Sequence, residues 1–217
     1  MEVSLPAHPK SFLQRGDICN MSPNKFQRFL FKISFYLIYL LVPAVMVSAQ
    51  DKTAAASVQN NPLSATNKRF YEGMKTIILA SAEKMPEKDY NYKPTEAVRS
   101  YGQILGHVAD EEYGFCSIVL GEKNPKPGIE KTKTSKADLI AALKESFSYC
   151  DKVYNGLTDA SASQMVKFHG KDTTKLGVLT ANFAHTMLHY GNLVTYMRLK
   201  NIVPPTSESG FFEPAKK

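Results

Sequence analysis

The chain has 217 residues, 43% of them hydrophobic and 22% charged, with no tryptophan and a formal net charge of +7. That size and balance suit one globular domain with an appendage. The excess charge does not describe a nucleic-acid binder. Residues 1–49 carry Lys10, Arg15, Lys25, Arg28 and Lys32 against Glu2 and Asp17, a net of +3 that leaves +4 for the rest, and the densest basic run, Lys123 to Lys136, is broken by Pro125, Pro127 and Gly128. Such a run reads as a solvated loop, where a nucleic-acid surface needs basic residues gathered on one element with stacking aromatics.

The first segment reads as a secretory signal over residues 1–49. Lys25, Arg28 and Lys32 form a basic region, Ile33 to Val47 an apolar one, and Val47-Ser48-Ala49 a small-residue site that places cleavage after Ala49. The apolar run is short of the roughly 20 residues that span a bilayer, so export to a periplasmic or extracellular space is expected, with no stable span after cleavage. The alternative is a membrane anchor formed by the uncleaved segment. Residues 1–20 resemble no part of a signal, and a start at Met21 gives the presequence ordinary dimensions. Residues 50–61 read as a polar linker.

Four amphipathic helices are predicted next, and no strand. The first runs from about Leu63 to Lys84 and stops at Pro86, with Phe70, Met74, Ile77, Ile78 and Met85 on one face at helical spacing. A turn-rich stretch, EKDYNYKPTEAVRS, separates it from the second. Ser100 and Gln103 form an S-x-x-Q capping box, and the second helix runs to Leu120, with Gly121 at the position just past its end. The third opens at Ser135 with Asp138 in its first turn, buries Leu139, Leu143, Phe147, Cys150 and Tyr154, and ends at Gly156. Residues 157–173 read as a loop. The fourth helix starts near Thr173 or Thr174 and runs to about Lys200, ahead of Pro204-Pro205. Cys116 and Cys150 fall among apolar neighbours on two of these helices. They are read as buried free thiols, although pairing cannot be decided from sequence. The expected architecture is an all-α four-helix bundle over residues 62–206 with a tail over 207–217, in which Phe211 and Phe212 would dock on the bundle.

The fourth helix contains HTMLHY, with His185 and His189 one turn apart. Residues four apart share a helix face, so both imidazoles can reach one cation. The pair is not HExxH, because Thr186 follows His185 and the general base of that motif is missing. Alone, the pair is a weak signal, because neutral His is a common core and surface residue as well as a metal ligand. His107, in mid-helix with Leu105 and Val108 flanking it and therefore facing inward, adds a third imidazole from a second helix. Three His with an open fourth position is the arrangement of catalytic sites rather than closed structural ones. Asp110 and Glu111, three and four residues past His107, are the candidate proton acceptors, and Asn192 is a candidate to orient an imidazole. The bland reading of Asp110, Glu111 and Glu112 is a solvated acidic face. His169, in the polar stretch FHGKDTT, is left outside the site.

Three stretches then carry a resemblance: MPEKDYNYKPTEAVRSYGQILGHVADEEYGFC, LTANFAHTMLHYGNLVTYMRLKNIVPP, and the helix-one pattern before them. With the H-x-x-x-H-x-G-[QN]-L block at His185, His189, Gly191, Asn192 and Leu193, the sequence resembles the DinB/YfiT-like family of metal-dependent four-helix proteins over about residues 62–206. The resemblance implies an up-down-down-up bundle, often a homodimer, with a divalent metal, zinc or nickel and in some cases manganese, on His107, His185 and His189. It implies a small-molecule substrate and no nucleic-acid partner. Activities in the wider family include transferases and isomerases that use low-molecular-weight thiols, and hydrolases. An exported member departs from this pattern and puts a cytosolic thiol cofactor in doubt. The function expected is therefore a metal-dependent hydrolase or transferase, the alternative being a stress protein that binds a metal or small ligand without turnover.

Overall fold

The computed structural model describes residues 60–208, so the signal segment, most of the linker and the tail aromatics Phe211 and Phe212 lie outside it. Four long helices account for most of the described chain: α1, Pro62–Lys84; α2, Tyr101–Leu120; α4, Lys136–Gly156; and α6, Lys175–Leu199. Two short helices, α3 (Ile129–Thr132) and α5 (Asp159–Ala162), sit in the connections.

The helix ends follow the side-chain chemistry of the sequence. Pro62 starts α1, where its missing N–H costs nothing. The next two amides are satisfied from afar: Asp159 accepts from Leu63 N at 3.2 Å and Ser64 N at 2.8 Å. At the start of α2 the capping box forms in both directions, Gln103 N donating to Ser100 Oγ and Ser100 N to Gln103 Oε1. Gly121 ends α2 in the left-handed region, φ 74°. Ser135 caps α4 and Thr174 caps α6.

Each long helix packs against two others: α2 against α4 and α6, and α1 against the same two. Between them lies one core that includes Ile78, Leu105, Leu139, Leu143, Phe147, Leu179 and Leu193, all fully buried. The buried face of α4 follows the predicted stripe. Phe70 does not: it is 49% exposed and stacks on Phe183 of α6 at 5.3 Å, on the outer seam rather than in the core.

Two expectations are corrected. Cys116 and Cys150 are not free thiols but a disulfide joining α2 to α4, with Cα atoms 5.5 Å apart. Each lies on the core face of its helix, and the packing of those helices brings the two faces together, which neither local sequence reveals. Residues 157–173 are not wholly loop: β1 (Met165–Phe168) pairs antiparallel with β2 (Lys171–Thr174), Val166 opposite Thr173. The two-residue turn uses positive φ at both His169 (48°) and Gly170 (76°), the geometry that matches strand twist in a tight hairpin. The hairpin packs on the helices through Phe168, 5.5 Å from Phe115. Past α6, Tyr190 Oη meets Thr206 Oγ1 at 2.7 Å, and Lys84 pairs with Glu208, which fixes the last described residues to the helices.

Candidate metal centre

His107 projects from the middle of α2, and His185 and His189 from successive turns of α6. The packing of α2 on α6 brings all three together. His185 Nε2 lies 3.2 Å from His107 Nε2 and 3.2 Å from His189 Nε2, and the three rings offer ligand atoms within 4.8 Å of one another. A neutral imidazole nitrogen has one lone pair or one N–H to share, so two such approaches on a single Nε2 have no full hydrogen-bond account within the triad. They have one around a cation. Ligands about 2.0–2.1 Å from a tetrahedral ion stand about 3.3 Å apart, close to what is seen.

The electrostatics agree. Burial, then the neighbouring imidazoles and Arg99, push His185 down to about 4, and burial, His107 and Arg99 push His189 down to about 4. Both are therefore uncharged near neutral pH, with lone pairs available. Their Nδ1 atoms are buried and without a partner among the described residues.

His107 is held differently. Glu130 Oε2 lies 3.2 Å from its Nδ1, the position from which a carboxylate keeps the proton on Nδ1 and leaves the Nε2 lone pair facing the other rings. Glu130 Oε1 accepts from Arg99 Nε at 2.8 Å. The carboxylate is itself placed by two features of α2. Asp110 accepts from the backbone amides of Ile129 (2.7 Å) and Glu130 (2.8 Å), capping α3 from across the gap. Gly106 lets that backbone approach: a Cβ there would stand 2.8 Å from Glu130 Cα. Asp110 thus has both oxygens engaged in positioning Glu130.

A cleft of about 770 Å³ opens on this centre, lined by His189, Glu130, Arg99, Gln103 and Asn192 among others. Asn192 is exposed on its wall, with no hydrogen bond to an imidazole among the described residues. Neither expected proton acceptor, Asp110 or Glu111, lines the cleft. Glu111 is half-buried one turn along α2, and His169 sits at the hairpin turn. The buried Phe115 ring lies 5.7 Å from the His185 ring, centroid to centroid.

Glu112, which the bland reading placed on a solvated acidic face, is instead 1% exposed. Its carboxylate accepts from Asn182 Nδ2 and Thr186 Oγ1, both at 2.9 Å. Burial outweighs these hydrogen bonds and pushes its pKa up to about 7. Glu112 also approaches Cys116 and Cys150, but their sulfurs are spent on each other and offer no thiolate.

The comparisons with known proteins can now be set beside this geometry. The family model of the DinB superfamily matches residues 71–193, a span that includes all three histidines. YjoA of Bacillus subtilis is 25% identical over 120 residues, which cover 54% of this chain and 77% of that protein. Solved structures share the fold. A DinB-like protein from Bacillus cereus aligns over 62% of this chain and 91% of its own, with a TM-score of 0.57 at 12% identity. The crystal structure of YjoA aligns over 63% and 92%, at 0.52 and 20%. A conserved protein from Enterococcus faecalis aligns over 63% and 95%, at 0.53 and 14%.

Proposed function

The chain belongs to the DinB superfamily, and from that premise we propose that it is a metal-dependent enzyme, a hydrolase or transferase acting on a small molecule, with a divalent ion on His107, His185 and His189. The convergence of three Nε2 atoms at the spacing of a tetrahedral ligand set, beside an open cleft, is the observation that carries this reading. Zinc or nickel suits three imidazoles best, with manganese the third choice. Such an ion supplies a Lewis acid that acidifies water or a thiol and polarises a substrate.

The chain's own residues supply the rest. Glu130 fixes the His107 ring and its tautomer. Asp110 and Gly106 hold Glu130 in place. Phe115 gives the His185 ring an apolar neighbour. Asn192 and Gln103 offer polar groups to whatever enters the cleft. Glu130, the one carboxylate beside the triad on the cleft wall, takes over from Asp110 and Glu111 as the proposed proton acceptor.

The four long helices are proposed to run up-down-down-up, with the chain a homodimer. Export is also proposed, since the presequence and a buried disulfide both suit an oxidising compartment. No helix among the described residues is long and apolar enough to cross a membrane. The alternative function is ligand or metal binding without turnover, because fold and metal do not by themselves specify chemistry.

The test is a screen of the purified chain, metal-loaded and chelated, against ester, amide and thiol-transfer substrates. Turnover that needs metal and disappears in His189→Ala is the expected result. Stoichiometric metal without turnover on any class would favour the binding alternative.

A further inference from the structure

Two cationic side chains, Arg99 and Lys93, line the cleft beside the triad, and Arg99 is the one joined to the carboxylate that holds His107. Arg99 stands at its wall just before Ser100, the N-cap of α2, and its backbone is pinned where Tyr196 Oη donates to Arg99 O at 2.7 Å. Of its nitrogens only Nε is hydrogen bonded among the described residues, to Glu130. A guanidinium has five N–H groups in a rigid fork, so the Nη groups remain to face the cleft.

The other anion donors nearby are already used. The α2 N-terminus would ordinarily attract an anion. Here Tyr101 N donates to Tyr92 O at 2.9 Å, Gly102 N to Tyr90 O at 2.7 Å, and Gln103 N to Ser100 Oγ at 3.2 Å. Lys93, also on the cleft wall, pairs with Glu96. Recognition therefore falls to a single planar fork next to the metal site. The cleft offers no free cradle of helix N-terminal amides among the described residues, the setting that favours a phosphate. With Lys93 balanced by Glu96 and Arg99 by Glu130, a divalent ion on the triad would leave the cleft positive.

Resting on the metal-centre reading above, we propose that the substrate carries a carboxylate, held by the Arg99 Nη groups while the reacting part of the molecule lies against the triad. Arg99 is then the residue that sets substrate class, and Glu130 joins substrate recognition to the His107 ring.

The test uses the full chain loaded with cobalt(II), whose visible spectrum reports changes at the ion, together with calorimetry. Succinate, its neutral diamide and inorganic phosphate are titrated into wild type, Arg99→Gln and Arg99→Lys. The expected result is succinate binding that weakens tenfold or more in Arg99→Gln and by a smaller factor in Arg99→Lys, which keeps the charge but loses the fork. Binding of the diamide should be equal in all three proteins, and cobalt content unchanged. Succinate affinities within twofold across the variants would overturn the proposal, as would a larger loss for phosphate than for succinate. Loss of cobalt together with succinate would also overturn it, leaving Arg99 only a support for Glu130. Should wild type take up no cobalt, the metal reading fails by itself, and Arg99-dependent binding of succinate by calorimetry still decides this proposal.

Discussion

Two polar clusters stand on the same pair of helices and behave in opposite ways. His107, His185 and His189 join α2 to α6 at the cleft; a little over a turn away, Glu112 joins the same helices through Asn182 and Thr186. Both bring together groups of metal-ligating type. In the Glu112 cluster each carboxylate oxygen has a donor, and the neighbouring sulfurs are closed into a disulfide. In the histidine cluster two buried Nδ1 atoms have no partner and three Nε2 atoms crowd one point. Buried polar groups in folded proteins are almost always satisfied. The Glu112 carboxylate, with both oxygens engaged, is a strut that leaves only Asn182 Oδ1 without a partner among the described residues, and the crowded imidazoles are the cluster proposed to hold an ion.

The largest effect that separates them is on metal affinity. His185→Ala should weaken zinc binding on the order of 10³-fold, since an ion's binding energy is shared among a few ligands. Glu112→Ala should leave affinity unchanged while lowering the unfolding midpoint, because Asn182 and Thr186 lose their acceptor. Metal titration and denaturant unfolding of both variants check this, and equal zinc loss in the two would erase the distinction. Next, replacing both cysteines by alanine should cost about 3–4 kcal/mol, the loop-closure value for a separation of 34 residues, read by unfolding in urea.

The third prediction concerns pH. Glu112 titrates near 7 in the fold against 4.5 for the free group, so the fold favours its protonated form. The stability this contributes is complete below about pH 4.5 and is lost as pH rises through 7, by at most about 3 kcal/mol. His185 and His189 work in the opposite sense, with folded values near 4 against 6.5. Their contribution is complete above pH 6.5 and lost as pH falls through 4. Glu112→Gln should therefore gain on wild type between about pH 5 and 7 and level off above, in chelator, which unfolding at pH 5, 7 and 8 measures. A constant difference would contradict the assignment. A smaller effect is that of Glu130→Gln, which keeps the shape but weakens the hold on His107 Nδ1 and should cost 10–100-fold in metal affinity, about 1.4–2.7 kcal/mol. Asp110→Asn should reproduce part of that loss without lining the cleft.

Much of this was legible in the sequence, and the parts that were not share a cause. The caps at Ser100 and Ser135, the stop at Gly121 and the stripe on α4 are local signals, and each appears where the residues placed it. The triad needed only helix periodicity and one partner helix. Glu130 was hidden because it sits in the stretch EKNPKPGIEKTKT, which reads as solvated loop, and the residues that bring it in are about 20 positions away at Asp110. Gly106, a helix-interior glycine beside His107, was the one local hint of a close backbone approach. Glu112 could not be told from Glu111 by charge alone. The disulfide and the hairpin likewise depend on which helix faces meet and on φ values that the letters His-Gly permit but do not announce.

The central claim is that a divalent ion binds the histidine cluster and not its neighbour. X-ray absorption at the zinc edge of the zinc-loaded chain reads the ligands directly. The account predicts nitrogen or oxygen neighbours only, at about 2.0–2.1 Å, with the outer-shell scattering of three imidazoles. A sulfur shell at about 2.3 Å, or fewer than two imidazoles, would contradict it.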